Sequence, residues 1–289
     1  MEIGETIEFL RKQKGLTIKD VCGKELSRQT FYKFVKGETS TSITNFSYIL
    51  DKLCVEFDEF LLIQNGYEEK EYIKIMKSLK KLFESKNASK ISKIKQYCFD
   101  NKDMNQKFLH LYYISDILLA KILDIPFEKS ATLMQKYLIG VNSWTHYELV
   151  LFNNIMFVFN SEMIDAIINK STSNLEKYVQ LKGYGNENIR MLLNVCFLLL
   201  QRKELKKLRK YFNIIKEIDL SEDAIFERCS ILFLEALINF INEENNAEKQ
   251  IINILNVFNT SNSSNMYSMY HDCYIHVKEN KNDFQMLIL

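Results

Sequence analysis

The sequence contains very few of the residues that interrupt helices. Its 289 residues include a single proline, Pro126, and only eight glycines. Folds rich in β-sheet place many more of these residues in their turns. With 47% hydrophobic and 26% charged residues, the composition also excludes a wholly disordered chain. We therefore expect an all-α fold, and the length suggests about two domains.

Long apolar runs and an excess of one charge are missing as well. The longest apolar run covers residues 195–200 (VCFLLL), far fewer than the about 20 residues that span a bilayer. The opening residues, MEIGETIEF, lack the basic and apolar regions of a signal peptide, so we expect a cytoplasmic protein that does not enter a membrane. The formal net charge is +1. Any contact with nucleic acid must therefore come from a local basic patch.

Motifs that signal catalysis or metal binding are also missing. There is no Gly-rich phosphate loop, no GxSxG, no HExxH and no CxxC pair. Six widely spread cysteines and four histidines give no set of metal-ligand spacing, which argues against zinc. We expect reduced thiols that pack as small apolar side chains, with a regulatory disulfide as the alternative. The sequence thus predicts no enzyme, no metal and no cofactor.

The first 66 residues are predicted to form five short helices. Apolar residues at helical spacing place them at 3–13, 18–22, from 28 to a stop at Gly37, 43–54 and 57–64. Thr17, Ser27 and Ser42 precede three of these helices and have side-chain oxygens suited to N-caps. Five short helices in this length indicate a compact domain.

The second and third of these helices have the layout of a helix-turn-helix, since a short turn at residues 23–26 joins them. In that motif the second helix of the pair enters the DNA major groove. Residues 11–36 carry eight basic residues and two acids, a net charge of +6, where a phosphate backbone would lie.

Three stretches resemble a known family: LRKQKGLTIKDV, LSRQTFYKFVKGE and NFSYILDKLCVEFDEFL. They are similar to the lambda-repressor-type (Xre-type) helix-turn-helix, and more narrowly to the Rgg branch of the Rap/Rgg/NprR/PlcR/PrgX pheromone receptors. The Rgg pattern LS-x5-[KR]-F-x-[RK]-G-E is matched from Leu26 to Glu38, and LDKL and DEF follow at 50–53 and 58–60. One departure is Val35, which stands where the family usually has Glu. The resemblance implies a five-helix DNA-binding domain over residues 1–66.

Exposed side chains of the third helix are the candidates for reading bases, because Gln and Arg can bond adenine and guanine bidentately. These candidates are Arg28, Gln29, Thr30, Tyr32 and Lys33. Candidates for phosphate contacts are Arg11, Lys12, Thr17 and Lys36. Phe31 and Phe34 should face the core instead. The alternative is a helix-turn-helix used only for protein contact.

Residues 67–102 are expected to connect the two domains through a charged helix at 67–95. Residues 70–95 contain nine lysines against Glu71 and Glu84. This helix is either a solvated connector or an additional contact to phosphates.

Residues 103–289 show a coarse repeat. Long helices are predicted to begin near residues 105, 145, 187, 223 and 264, and shorter ones cover 127–139, 162–170, 203–218 and 246–258. Polar linkers are expected at 171–174, 183–186 and 260–264. Helical hairpins with a period near 40 indicate an α-solenoid of degenerate tetratricopeptide-like repeats. A globular helical array is the alternative.

Polar residues interrupt the apolar first helices of these hairpins, on what should be the concave face. A buried Asn is costly unless its amide is hydrogen-bonded, and an amide can hold the backbone of an extended peptide. The alternative is an Asn bonded between helices. The resemblance implies a bound pheromone peptide held by Asn and Arg, and the candidate residues are Tyr147, Asn153, Asn154, Arg190, Asn194 and Asn239.

Together these features predict a transcription regulator that binds DNA and a short signalling peptide. One such domain makes few base contacts, so we expect a homodimer on a double-stranded operator with two half-sites. The repeat domain is expected to form the dimer, with the apolar segment 284–289 (FQMLIL) either contributing or capping the last repeat. Two alternatives stay open: a repeat domain that binds a protein partner or only dimerises, and a sensor of a small molecule.

Overall fold

A computed structural model describes residues 1–175 and 186–286, with only the backbone described at 171–175 and 285–286. All regular structure in these residues is helical, with seventeen α-helices and one short 3-10 turn. This confirms the all-α class. The chain divides into two compact units, one of Met1–Asn87 with Asp100–Leu111 and one of Ala88–Phe99 with Tyr112–Leu289. The sequence-based boundaries at 66 and 102 stay a prediction.

The first unit begins with the five short helices expected from the sequence. They are α1 (Ile3–Gln13), α2 (Ile18–Cys22), α3 (Arg28–Val35), α4 (Ile43–Leu53) and α5 (Phe57–Gln64). The side-chain oxygens of Thr17, Ser27 and Ser42 each accept the backbone N–H three residues later, at 3.0–3.2 Å. The three predicted N-caps are therefore confirmed.

The core of this unit fixes how α3 is presented. Phe31 and Phe34 are buried with Ile7 and other apolar side chains of α1, α4 and α5, as predicted. Helix α1 packs closely on the end of α3 at Gly4, where a Cβ would lie 2.5 Å from the Phe34 carbonyl oxygen. Only glycine allows this approach.

The turn between α2 and α3 also depends on a glycine. Gly23 has a φ of 53°, in the left-handed region, and a Cβ there would overlap the Tyr48 hydroxyl. That hydroxyl donates a hydrogen bond to the Cys22 carbonyl oxygen at 3.2 Å. Helix α4 therefore fixes the turn of the helix-turn-helix from outside.

The predicted single helix at 67–95 is wrong, because the chain forms two helices there. Helix α6 (Glu71–Glu84) ends before α7 (Ala88–Asp100) begins. Between them Lys86 adopts a φ of 52°, and the Ser85 hydroxyl donates to the Lys81 carbonyl oxygen at 2.9 Å. A left-handed residue stops a helix, so two separate helices result.

The helices that follow form the repeats of the second unit, which also takes in most of α8. They are α8 (Gln106–Leu123), α9 (Glu128–Gly140), α10 (His146–Ile155), α11 (Ser161–Leu175), α12 (Glu187–Gln201), α13 (Leu205–Lys216), α14 (Ile225–Ile241), α15 (Ala247–Thr260), α16 (Ser264–Glu279) and α17 (Lys281–Met286). The long helices begin within two residues of their predicted starts. Helix α11 continues through 171–174, so the predicted linker there is wrong. Most of the linker predicted at 183–186 lies outside the described residues.

The contacts between these helices follow the solenoid pattern. The first helices of successive hairpins, α10, α12, α14 and α16, contact one another in order, and α12 and α14 each pack on the helix that follows. This order of contacts between successive hairpins confirms the α-solenoid. Helix α17 packs on α14 and α16, with Phe284 fully buried, so the described part of the segment 284–289 covers the last repeat. Residues 287–289 lie outside the described residues.

The cysteines are free thiols. Cys22, Cys98 and Cys196 are buried in the cores, and burial raises the pKa of Cys196 to about 12. Among the described helices, none has the length and apolar character needed to cross a bilayer.

Candidate DNA-binding and peptide-binding surfaces

Helix α3 has one face in the core and one face open. Arg28, Gln29, Thr30, Tyr32 and Lys33 are all exposed. Ser27 caps the start of this helix, and its hydroxyl also lies 2.8 Å from the Thr30 hydroxyl. This leaves the predicted base-reading residues on a single solvent-facing surface.

A surface cavity of about 960 Å³ lies beside α3, and most of the predicted DNA-binding residues line it. Its lining includes Arg11, Thr17, Arg28, Gln29, Tyr32 and Lys33. Residues from the end of α1 and the start of α2 therefore adjoin the open face of α3. Lys12 and Lys36 are exposed but do not line the cavity.

Several of the predicted phosphate contacts already have partners within the domain. The Arg11 guanidinium donates to the Glu8 carboxylate at 2.7 and 2.8 Å, which raises the pKa of Arg11, and it also donates to the Leu16 carbonyl. The Thr17 hydroxyl donates to the Asp20 carboxylate at 2.6 Å and lowers its pKa. Contact of Arg11, Lys12, Thr17 and Lys36 with phosphates stays a prediction.

Two of the predicted peptide-binding asparagines meet between neighbouring repeats. The Asn194 amide on α12 donates to the Asn153 side-chain oxygen on α10 at 3.4 Å. Asn194 is exposed and Asn153 is half-buried. The pair therefore links α10 to α12 at a position that solvent reaches.

Arg190 stands one turn before Asn194 and is held by a carboxylate that the sequence analysis missed. Its Nε donates to Glu227 on α14 at 2.6 Å, and a second nitrogen lies 3.4 Å from Glu187. Arg190 is 46% exposed, whereas Glu227 is only 2% exposed. The guanidinium has five N–H donors, so it can compensate Glu227 and still offer donors outward. The one signal for this pair in the sequence is its separation of 37 residues, which is close to the repeat period.

The remaining predicted residues are more scattered. The Asn154 amide donates to the Val150 carbonyl of its own helix at 2.7 Å. Tyr147 is half-buried near the start of α10, and Asn239 is half-buried on α14. The structure brings Asn153 and Asn194 together, whereas Arg190, one turn before Asn194 on α12, is bonded to α14.

The start of α10 is fixed by a buried acid. Glu148 accepts hydrogen bonds from the Thr145 hydroxyl at 2.7 Å, the Thr145 N–H at 2.9 Å and the Tyr137 hydroxyl at 2.8 Å. Burial raises the pKa of Glu148, but these hydrogen bonds outweigh it and leave the pKa below its ordinary value of 4.5. The capping box holds the helix that carries Asn153 in place.

In the part of the chain that the structure describes, no three His, Cys, Asp or Glu side chains form a group that could hold a metal ion.

Comparison with known proteins identifies the family. Residues 91–272 match the family model described as HTH-type transcriptional regulator Rgg, C-terminal domain. The chain belongs to the Rgg family. Among solved structures, RopB is 32% identical over 78% of this chain and 100% of its own, with a TM-score of 0.60.

Two more distant structures share the fold of this Rgg-family chain. The Streptococcus dysgalactiae SHP pheromone receptor Rgg2 is 18% identical, covering 94% of this chain and 99% of its own with a TM-score of 0.74. The PrgX/cCF10 complex is 19% identical, covering 94% and 98% with a TM-score of 0.72. Both support the arrangement of an N-terminal helical domain followed by helical repeats.

Proposed function

We propose that this Rgg-family chain is a cytoplasmic transcription regulator whose DNA binding is controlled by a short signalling peptide. In this proposal residues 1–66 bind DNA, 67–102 connect, and 103–289 bind the peptide and dimerise. The open face of α3 supports the DNA-binding half, because the cavity beside it is lined by four basic side chains and Gln29, against the carboxylate of Glu38. Arg28 and Gln29 of α3 would read base edges in the major groove.

The pairing of Asn194 with Asn153 is the observation that carries the peptide-binding half. Each amide has more donors and acceptors than this single contact uses, so the pair can hold both polar groups of a peptide backbone. Arg190 adds N–H donors suited to a carbonyl or carboxylate of the peptide. The fold shared with Rgg2, an SHP pheromone receptor, supports the same function.

A homodimer on two half-sites follows from the small size of the DNA-binding domain. One recognition helix contacts only a few base pairs, and two-fold symmetry doubles that contact. Peptide binding would favour one of two dimer arrangements and so change operator affinity.

The test is a combined melting and DNA-binding screen. Short apolar peptides encoded by small open reading frames beside the gene are added to the full chain. A peptide that binds the native state raises the melting temperature and should also change the affinity for DNA from the same region. DNA binding that no peptide alters would instead indicate a regulator that binds a protein partner or only dimerises.

A further inference from the structure

One face of α6 carries a row of four lysines. Lys70 precedes the first turn, and Lys74, Lys77 and Lys81 follow at helical spacing, so all four lie within about 60° of the helix circumference. All four are exposed. The row extends along about 16 Å of the helix axis, at 1.5 Å per residue.

The opposite face of α6 anchors the helix. Leu79 is fully buried there, and Tyr72, Met76 and Phe83 are half-buried. The Lys107 ammonium of α8 lies 4.0 Å from the centre of the Tyr72 ring. The apolar side chains of α6 are thus buried or half-buried, and its exposed residues are all charged apart from Ser78.

Acidic residues accompany the row, and residues 68–84 hold five lysines against four glutamates. Lys74 contacts Glu68 and Lys77 contacts Glu69, in the segment just before α6. These two carboxylates are 67% and 46% exposed. Exposed ion pairs are weak, so a polyanion can displace them. Glu71 and Glu84 are the acids of α6 itself, one at each end of the helix.

The segment that leads into α6 begins near the C-terminal end of α3. The Met1 ammonium donates to the Gln64 carbonyl oxygen at the end of α5, at 3.1 Å. One turn further along α1, Gly4 packs against Val35 at the end of α3. The ends of α3 and α5 thus both contact residues 1–4, at the start of α1, and Lys70 follows Gln64 by six residues.

We infer that the lysine row of α6 binds the phosphate backbone of duplex DNA next to the segment that α3 reads. This inference rests on the proposed DNA binding. At 3.4 Å per base pair, a row of this length spans about five base pairs of backbone. It carries no base readout, so it adds affinity and salt dependence without changing sequence preference.

The test removes the row and measures the salt dependence of binding. The variant K70Q/K74Q/K77Q/K81Q and the wild-type full chain are titrated against mixed-sequence duplex DNA over a range of KCl concentrations. The slope of log K against log salt is negative, and each lost phosphate contact reduces its magnitude by about 0.9. We therefore expect the magnitude to be smaller by about 2 to 4 in the row variant. The matched control replaces four exposed lysines of the second unit, in the variant K129Q/K136Q/K206Q/K249Q, and should keep the wild-type slope.

A row variant with the wild-type slope would overturn the inference, and so would an equal decrease in the control. Circular dichroism and a melting curve check that the row variant folds. If the row variant does not fold, the variant E68Q/E69Q is titrated in the same way. Release of Lys74 and Lys77 from these carboxylates should tighten DNA binding and make the slope of log K against log salt more negative. No change in that variant would also overturn the inference.

The failure of this inference is distinguishable from failure of the proposed function. If the wild-type chain does not bind duplex DNA, both fall together. If it binds DNA and Lys33→Ala weakens that binding while the row variant does not, only the lysine-row inference falls.

Discussion

The Asn194 amide nitrogen lies 3.4 Å from the Asn153 side-chain oxygen, so two asparagines 41 residues apart meet where α10 adjoins α12. Each side chain has an oxygen with two acceptor sites and an NH2 with two donors. The contact uses one donor and one acceptor, which leaves most of this capacity available to a ligand.

Asn194→Ala should therefore abolish the response to a peptide and leave DNA affinity nearly unchanged. The measurement is the peptide-induced shift in melting temperature together with operator affinity. Asn213→Ala, on an exposed position of α13, is the matched control and should retain both properties. Loss of peptide and DNA binding to the same extent would contradict the assignment.

Lys33→Ala should weaken DNA binding by about 1–3 kcal/mol, because it removes one contact of the recognition helix. Peptide affinity should not change. Fluorescence anisotropy with labelled duplex DNA measures the effect. Lys206→Ala, an exposed lysine in the repeats, should have no effect, and equal losses in the two variants would show only a dependence on total charge.

Removing Arg190 should destabilise the repeats more than removing Arg190 and Glu227 together. Arg190→Gln leaves the buried Glu227 carboxylate without its 2.6 Å partner, and an uncompensated buried charge is costly. Because Arg190 is half-exposed, we expect a loss of about 1–3 kcal/mol in the free energy of unfolding. Urea unfolding of R190Q, E227Q and the double variant measures the coupling. A double variant less stable than R190Q would contradict it.

Gly4→Ala should reduce the free energy of unfolding by about 1–3 kcal/mol, because backbone atoms of α3 must move to admit the methyl group. A Cβ at Gly4 would lie 2.8 Å from the Val35 Cα. Gly140→Ala is the matched control, since nothing lies within 4 Å of its Cβ position. Urea unfolding compares the two variants, and equal stabilities would show that α1 and α3 are less closely packed.

The stability of the repeats should decrease in acid through Glu148. Its pKa is lower in the folded chain than its ordinary value of 4.5, so its stabilising effect is complete above that pH. The effect is lost as the pH falls through the folded-state pKa. Glu148→Gln should therefore show a weaker loss of stability below pH 4.5 than the wild type in urea unfolding. The exposed Glu222→Gln should behave like the wild type, and an identical pH dependence in all three would rule out this role.

Local chemistry explains what the sequence predicted well. Thr17, Ser27 and Ser42 have oxygens that bond a backbone N–H three residues away, so the helix starts need no knowledge of the fold. The apolar spacing of the repeats likewise predicted where α10, α12 and α16 begin. The asparagines on these helices could be proposed because an Asn stands out in an apolar run.

The features that the sequence did not predict depend on backbone conformation or on contacts between residues distant in sequence. Lys86 takes a left-handed conformation without the glycine that usually signals it, so the break between α6 and α7 was invisible. Glu227 looked like an ordinary helix acid because its partner lies 37 residues earlier. Burial of a charge is a property of the packed structure and cannot be read from its neighbours in sequence.

The links between repeats have a consequence for how the chain folds during synthesis. Asn153 and Asn194 are 41 residues apart, and Ser230 and Tyr270, whose hydroxyls lie 2.5 Å apart, are separated by 40. Each hairpin can therefore dock as soon as it leaves the ribosome, without waiting for distant partners. The 2.5 Å contact of Lys203 with Asp283 spans 80 residues. It forms only after residue 283 has been synthesised, so this contact closes later than those between neighbouring repeats.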